Sequence, residues 1–151
     1  MPDLIVRLYD LPSDKGAAAR RAFSAERHLV CDWVAEHFSR AWAAECDGCF
    51  ASGRPTCFVV TEHDALLGFA CYDTTARGMF GPVGVAESAR GRGLGRALLL
   101  ATLRDMAAAG YAYAIVGGAG ADSLAFYRRA VNAIEIPDSE PGFYRGMLGD
   151  A

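Results

Sequence analysis

The sequence predicts an α/β chain: a mixed, mostly antiparallel central sheet with helices on both faces. Three observations carry that expectation. Short runs of β-forming residues alternate with amphipathic stretches along the whole chain. Three of those runs, at residues 57–62, 66–73 and 78–85, follow one another with only turns between them, as antiparallel neighbours do. The last third then alternates helix and strand, so helices must cover the sheet rather than form a bundle of their own.

Taken in order, residues 4–9 alternate apolar and polar side chains as a first strand, closed by the turn residues Leu11-Pro12-Ser13-Asp14. Leu29, Val30, Trp33, Val34, His37, Phe38, Ala41 and Trp42 recur at steps of three and four, which predicts one helix from about residue 28 to about residue 46. Ser52-Gly53-Arg54-Pro55 breaks the chain. Residues 57–62 and 66–73 form a hairpin about His63-Asp64, and residues 78–85 return beside it. A helix over about 94–109 is apolar nearly all round in its first half, which implies burial on more than one side, and Gly110 ends it. Tyr113-Ala114-Ile115-Val116 is a short buried strand. Asp122 or Ser123 caps a final helix carrying Phe126, Tyr127, Ala130 and Val131, Asn132 closes it, and residues 143–148 supply a last strand.

With 151 residues the chain reads as a single domain over residues 1–151, large enough to bury a core. Hydrophobic residues make up 52% and charged residues 22%, an ordinary globular balance. A net charge of −3 offers no general positive field for nucleic acid or an anionic membrane, so neither is expected as a partner. The N-terminus lacks a basic start followed by an apolar run, and no apolar stretch reaches about 18 residues, so the expected location is the cytoplasm. The five cysteines, Cys31, Cys46, Cys49, Cys57 and Cys71, read as reduced thiols with no disulfide. Cys46-Asp47-Gly48-Cys49 has a spacing that can hold zinc, yet no second pair completes a tetrahedral set, and the segment closes a helix instead of opening one. No metal is expected.

Chemistry concentrates in Arg90-Gly91-Arg92-Gly93-Leu94-Gly95-Arg96, between the apolar run Val83-Gly84-Val85 and a long apolar helix. Glycines let backbone N–H groups turn toward one point, and the free N–H groups of the helix's first turn add partial positive charge there. Three arginines suit the cradle to a diphosphate. A nucleotide triphosphate loop would need Lys-Ser/Thr after its last glycine, where Arg96-Ala97 stands. A dinucleotide fingerprint would need glycines one and then two residues apart, whereas Gly91, Gly93 and Gly95 are evenly spaced.

Arg90-x-x-Gly93-x-Gly95 before an apolar helix resembles the coenzyme A pyrophosphate loop of the GNAT superfamily of N-acyltransferases, and the likeness in element order extends over roughly residues 57–148. The resemblance implies a GNAT-like fold and binding of acetyl-CoA as cosubstrate. It implies that the strand carrying Val83 and Val85 offers unpaired backbone groups to the pantetheine arm. It makes Tyr127, in the pair Phe126-Tyr127, the candidate acid that protonates the departing thiolate. Departures are Glu87 where Pro is frequent, Gly120 where Asn is usual, and Ala133 where a bulky aromatic is common. Asp122 or Ser123 would then supply the contact that the Asn makes.

The attacking amine must lose a proton, because a free alkylamine has a pKa near 10.4. Many relatives carry a Glu on the strand before the loop, but Met79-Phe80-Gly81-Pro82 offers none. Asp73 is the leading candidate base, ahead of Glu87, His63 and Asp122, although Asp before two threonines is also good turn chemistry. The expected function is transfer of an acetyl group to a primary amine of a small molecule or peptide by direct attack in a ternary complex. The alternative is a non-catalytic acyl-CoA-binding module. An exposed last strand at residues 143–148 would allow pairing with a second copy as a homodimer.

Overall fold

The computed structural model describes residues 1–149. Its strands are β1 (Leu4–Arg7), β2 (Arg20–Arg21), β3 (Cys57–Glu62), β4 (Ala65–Tyr72), β5 (Phe80–Val85), β6 (Tyr113–Val116) and β7 (Ile134–Glu135). Its α-helices are α1 (Arg27–His37), α2 (Arg40–Gly48), α3 (Leu94–Ala108) and α4 (Ala121–Val131). The strands form two antiparallel sheets, ordered β2-β3-β4-β5 and β6-β1-β7. Among the described residues the two meet at one parallel bridge, Met79 to Ile115, where the Ile115 N–H donates to the Gly78 carbonyl at 3.0 Å. The expected α/β class, with a mostly antiparallel sheet, is the one observed.

Alternation along the strands sorts side chains to two cores. Phe58 and Val60 of β3, with Ala70 and Tyr72 of β4, pack with Leu98, Leu99 and Leu103 of α3 and Val131 of α4. Cys57, Val59, Phe69 and Cys71 face the other way, onto Val30 and Val34 of α1 and Cys46 of α2. Helices thus cover both faces. The near-continuous apolar character of α3 follows from its place between the strands and the N-terminal segment: Leu98, Leu99, Leu100, Leu103 and Met106 are all fully buried.

Several expectations are corrected. The single helix over 28–46 is two, broken at Phe38 and Ser39: the Phe38 ring packs against Gly84 of β5, and Ser39 accepts the Trp42 N–H at 3.1 Å as the N-cap of α2. Residues 143–148 are not a strand. They form turns, with Arg145 N–H to Gly142 O and Met147 N–H to Tyr144 O both at 3.1 Å, and Gly146 sits at φ +77°. The last strand is β7, directly after α4, paired with β1. The edge proposed for dimerisation is therefore missing at residues 143–148. Gly120, not Asp122 or Ser123, occupies the N-cap of α4, and no side chain caps it. Asn132 does close α4 in the left-handed conformation, at φ +54°.

Candidate active site

Strand β5 leaves the sheet of β6 as it runs toward the arginine-glycine loop. On its β4 side the ladder continues past the strand end, with the Ala86 N–H donating to Leu67 O at 2.8 Å. Antiparallel pairing alternates, so Val83 and Val85 turn their N–H and C=O groups to the opposite edge. Beyond the Met79 bridge that edge has no neighbouring strand among the described residues. The Val85 carbonyl instead accepts from Arg90 Nε at 3.3 Å. Both valine side chains pack on the α3 core, so the same residues hold the strand and present its backbone.

The loop that follows has the conformation its glycines permit. Gly91 and Gly93 lie at φ +81° and +77°, a region that costs an L-residue with a side chain, and a Cβ at either would meet open space. Gly93 is the N-cap of α3, no side chain caps the helix, and the first helical bond runs from Ala97 N–H to Gly93 O at 3.1 Å. The N–H groups of Leu94, Gly95 and Arg96 therefore have no intrahelical acceptor. Arg92 pairs with Glu62 of β3 at 2.6 Å and Arg96 with Asp14, while Arg90 reaches back to β5. The Arg92 guanidinium holds the Glu62 carboxyl below its ordinary value. For Asp14 the hydrogen bond from the Gly16 N–H does most of the lowering, with Arg96 next. These exposed pairs are exchangeable for another anion.

Tyr127 lies in the wall of the same splay. It is only 6% exposed, with its ring edge-on to Phe80 of β5 at 6.1 Å and to Phe126 at 5.2 Å. Burial pushes its hydroxyl well above the ordinary tyrosine pKa, and the neighbouring Tyr144 adds to the shift, so Tyr127 is a proton-bearing phenol across the neutral range. Tyr144 reaches this place because residues 143–147 fold back over Gly117 and Gly118, at the end of β6. Asp73 sits elsewhere. It occupies the turn after β4 at φ +60°, one oxygen accepting the Gly78 N–H at 2.7 Å and the other the Tyr111 hydroxyl at 2.6 Å.

Between α2, the β4–β5 turn and the folded-back segment lies a cavity of about 380 Å³, lined by Glu45, Thr74, Thr75, Tyr144, Arg145 and Met147 among others. Glu45 Oε1 accepts from the Thr75 hydroxyl at 2.6 Å, and its backbone carbonyl accepts from Thr74. A second cavity, about 440 Å³, lies beside the end of β5 and is lined by His37, Ala86, Glu87 and Ser88. Sequence reasoning missed Glu45, because nothing in its neighbourhood on α2 marks it apart from a solvated helix residue. His37 stacks on Trp33 at 4.3 Å and His63 lies in the β3–β4 turn, so packing and turn geometry account for both.

A free strand edge thus runs into an uncapped helix start through a left-handed glycine pair. Residues 19–132 match the acetyltransferase (GNAT) family model. This chain belongs to the GNAT family. No curated protein matches it in sequence. Among solved GNAT structures, the glucosamine N-acetyltransferase region of a fungal multi-domain GH3 beta-N-acetylglucosaminidase superposes with a TM-score of 0.70 at 17% identity, over 89% of this chain and 19% of that one. A GCN5-related N-acetyltransferase from Sphaerobacter thermophilus gives 0.68 at 20%, over 89% and 48%. Diaminobutyrate acetyltransferase from Paenibacillus lautus, solved with L-2,4-diaminobutyric acid and coenzyme A, gives 0.50 at 17%, over 73% and 69%. At such identities the likeness is one of fold. This GNAT chain spans 19% and 48% of the first two structures' lengths. Among the described residues no helix is long and apolar enough to cross a membrane.

Proposed function

We propose that this chain transfers the acetyl group of acetyl-CoA to a primary amine by direct attack in a ternary complex. The observation that carries the reading is the continuity of two cradles. The unpaired edge at Val83 and Val85 matches an amide-bearing pantetheine arm, and it leads directly to the free N–H groups and arginines at the start of α3, which suit a diphosphate. In this reading Arg90, Gly91, Arg92, Gly93, Leu94, Gly95 and Arg96 hold the pyrophosphate, with Arg92 and Arg96 exchanging Glu62 and Asp14 for phosphate oxygens.

The amine nitrogen attacks the thioester carbonyl, and the tetrahedral adduct collapses with loss of a thiolate. Tyr127, kept protonated by burial, is proposed as the acid at the sulfur. A thiol pKa of about 8.5 makes that help useful and not indispensable. For the base we propose Glu45, in place of Asp73. Both Asp73 oxygens already accept hydrogen bonds that hold the turn, whereas Glu45 lines the cavity that Tyr144 also lines.

Glu45 and Arg145 give that cavity one anionic and one cationic wall. A small amine that also carries a carboxylate fits both, its ammonium toward Glu45 and its carboxylate toward Arg145. Diaminobutyric acid, the ligand of the Paenibacillus lautus structure, is of this class. The test is release of free thiol from acetyl-CoA across a panel of amino acids, diamines, alkylamines and peptides. Turnover highest on amino acids with a second amine supports the reading. Coenzyme A binding without turnover on any amine would replace it with a non-catalytic acyl-CoA-binding module.

A further inference from the structure

The cysteines scattered in sequence converge in space. Cys46 on α2, Cys57 on β3 and Cys71 on β4 are all fully buried, and their sulfurs lie within 4.8 Å of one another. Cys57 and Cys71 are directly opposite on neighbouring strands, and the Tyr72 N–H to Thr56 O bond at 3.1 Å makes theirs a non-hydrogen-bonded pair, the closer kind of cross-strand pair. Cys46 descends onto them from the helix. The three cysteines share one apolar core cluster with Val34, Val59, Phe50 and Phe69. Cys31 is half-buried on α1, where its thiol donates to Asp47 Oδ1 at 3.9 Å.

We propose that Cys46, Cys57 and Cys71 form a three-coordinate site for a soft monovalent d¹⁰ cation, Cu(I). Metal–thiolate bonds of about 2.3 Å in a trigonal plane place the sulfurs about 4 Å apart, so closure needs an inward shift of under about 1 Å at each. Zn²⁺ would require a fourth ligand, and neither Cys49 nor Cys31 joins the three within that spacing. Each copper–sulfur bond replaces a thiol S–H, the proton leaves to solvent, and no electron is transferred. Because Cys46 follows Glu45 directly, the bound ion also ties the end of α2 to the sheet beside the proposed acceptor cavity.

The test is anaerobic titration of the reduced full chain with Cu(I) in competition with bathocuproine disulfonate. One equivalent is expected to bind, with an ultraviolet sulfur-to-copper charge-transfer band, X-ray absorption showing three sulfurs at one distance, and a raised melting temperature. Cys57→Val and Cys71→Val are each expected to lose uptake, and Cys49→Ala to keep it. Since a core variant can fail to fold, the absorption spectrum of the loaded natural chain decides independently. Copper bound by two sulfurs or by nitrogen and oxygen overturns the proposal, as does uptake that survives in folded Cys57→Val. Zn²⁺ binding that depends on Cys49 and exceeds Cu(I) overturns it too, as does spontaneous loss of two thiols to a Cys57–Cys71 disulfide.

Discussion

At the scale of single residues, the proposed chemistry assigns opposite tasks to two groups. Tyr127 is enclosed by Phe80 and Phe126, and burial followed by the nearby Tyr144 raises its pKa, so it stays protonated where turnover is measured. Tyr127→Phe is expected to lower kcat by about 10- to 100-fold with coenzyme A affinity unchanged, because a proton is removed and little volume. Equal kcat in the variant would remove Tyr127 from the reaction. Glu45 carries the complementary prediction. Glu45→Gln should lower kcat most near neutral pH and recover as pH climbs toward the amine's own pKa of about 10.4, where the nucleophile deprotonates unaided. A pH–rate profile lowered by the same factor throughout would show that Glu45 binds substrate without taking its proton.

At the scale of elements, the conformation of the arginine-glycine loop was legible in the sequence because everything it needs is local: two left-handed glycines, a helix start and arginines lie within seven residues. The strand before it, expected over 78–85, begins at Phe80, whereas Tyr113–Val116 coincides with the run of β-formers read from the chain. The cavity proposed for the acceptor was not legible, since Glu45, Thr75 and Tyr144 come from segments that only the tertiary fold brings together. Nor was the break between α1 and α2, although Ser39 before Arg40 is a capping signal, because an unbroken apolar stripe outweighs a single serine. The loop yields two expectations of different size. Gly93→Val forces a β-branched residue to φ +77° and should abolish coenzyme A binding in a chain that still folds, read by calorimetry and circular dichroism. Glu62→Gln removes a carboxylate that competes for Arg92, and should tighten coenzyme A binding by up to about 5-fold at low salt, with the gain fading as salt rises. Unchanged affinity at low salt would mean that Arg92 does not meet the phosphates.

At the scale of the whole molecule, the face of the sheet beneath α3 is secured by one carboxylate. Asp105 on α3 receives Arg21 of β2 at 2.5 Å, the Tyr72 hydroxyl of β4 at 2.7 Å and Arg54 at 3.3 Å, so helix and sheet share a polar tie at the margin of an apolar core. Burial raises the Asp105 pKa, but hydrogen bonds from Arg21 and Tyr72 together outweigh it and hold the carboxyl below its ordinary value. A pKa lower in the folded than in the unfolded chain means that this stabilisation is complete above the unfolded value of about 3.9 and fades as pH falls through the folded one. Asp105→Asn keeps the shape, leaves Arg21 without its counter-charge, and should cost about 2 kcal/mol at pH 7 in urea unfolding. The difference between variant and natural chain should then shrink below about pH 4, as protonation makes the natural Asp105 resemble the amide. A gap that stays constant from pH 7 to pH 3 would mean that the tie acts through packing, and that charge pairing between α3 and the sheet adds nothing to the fold.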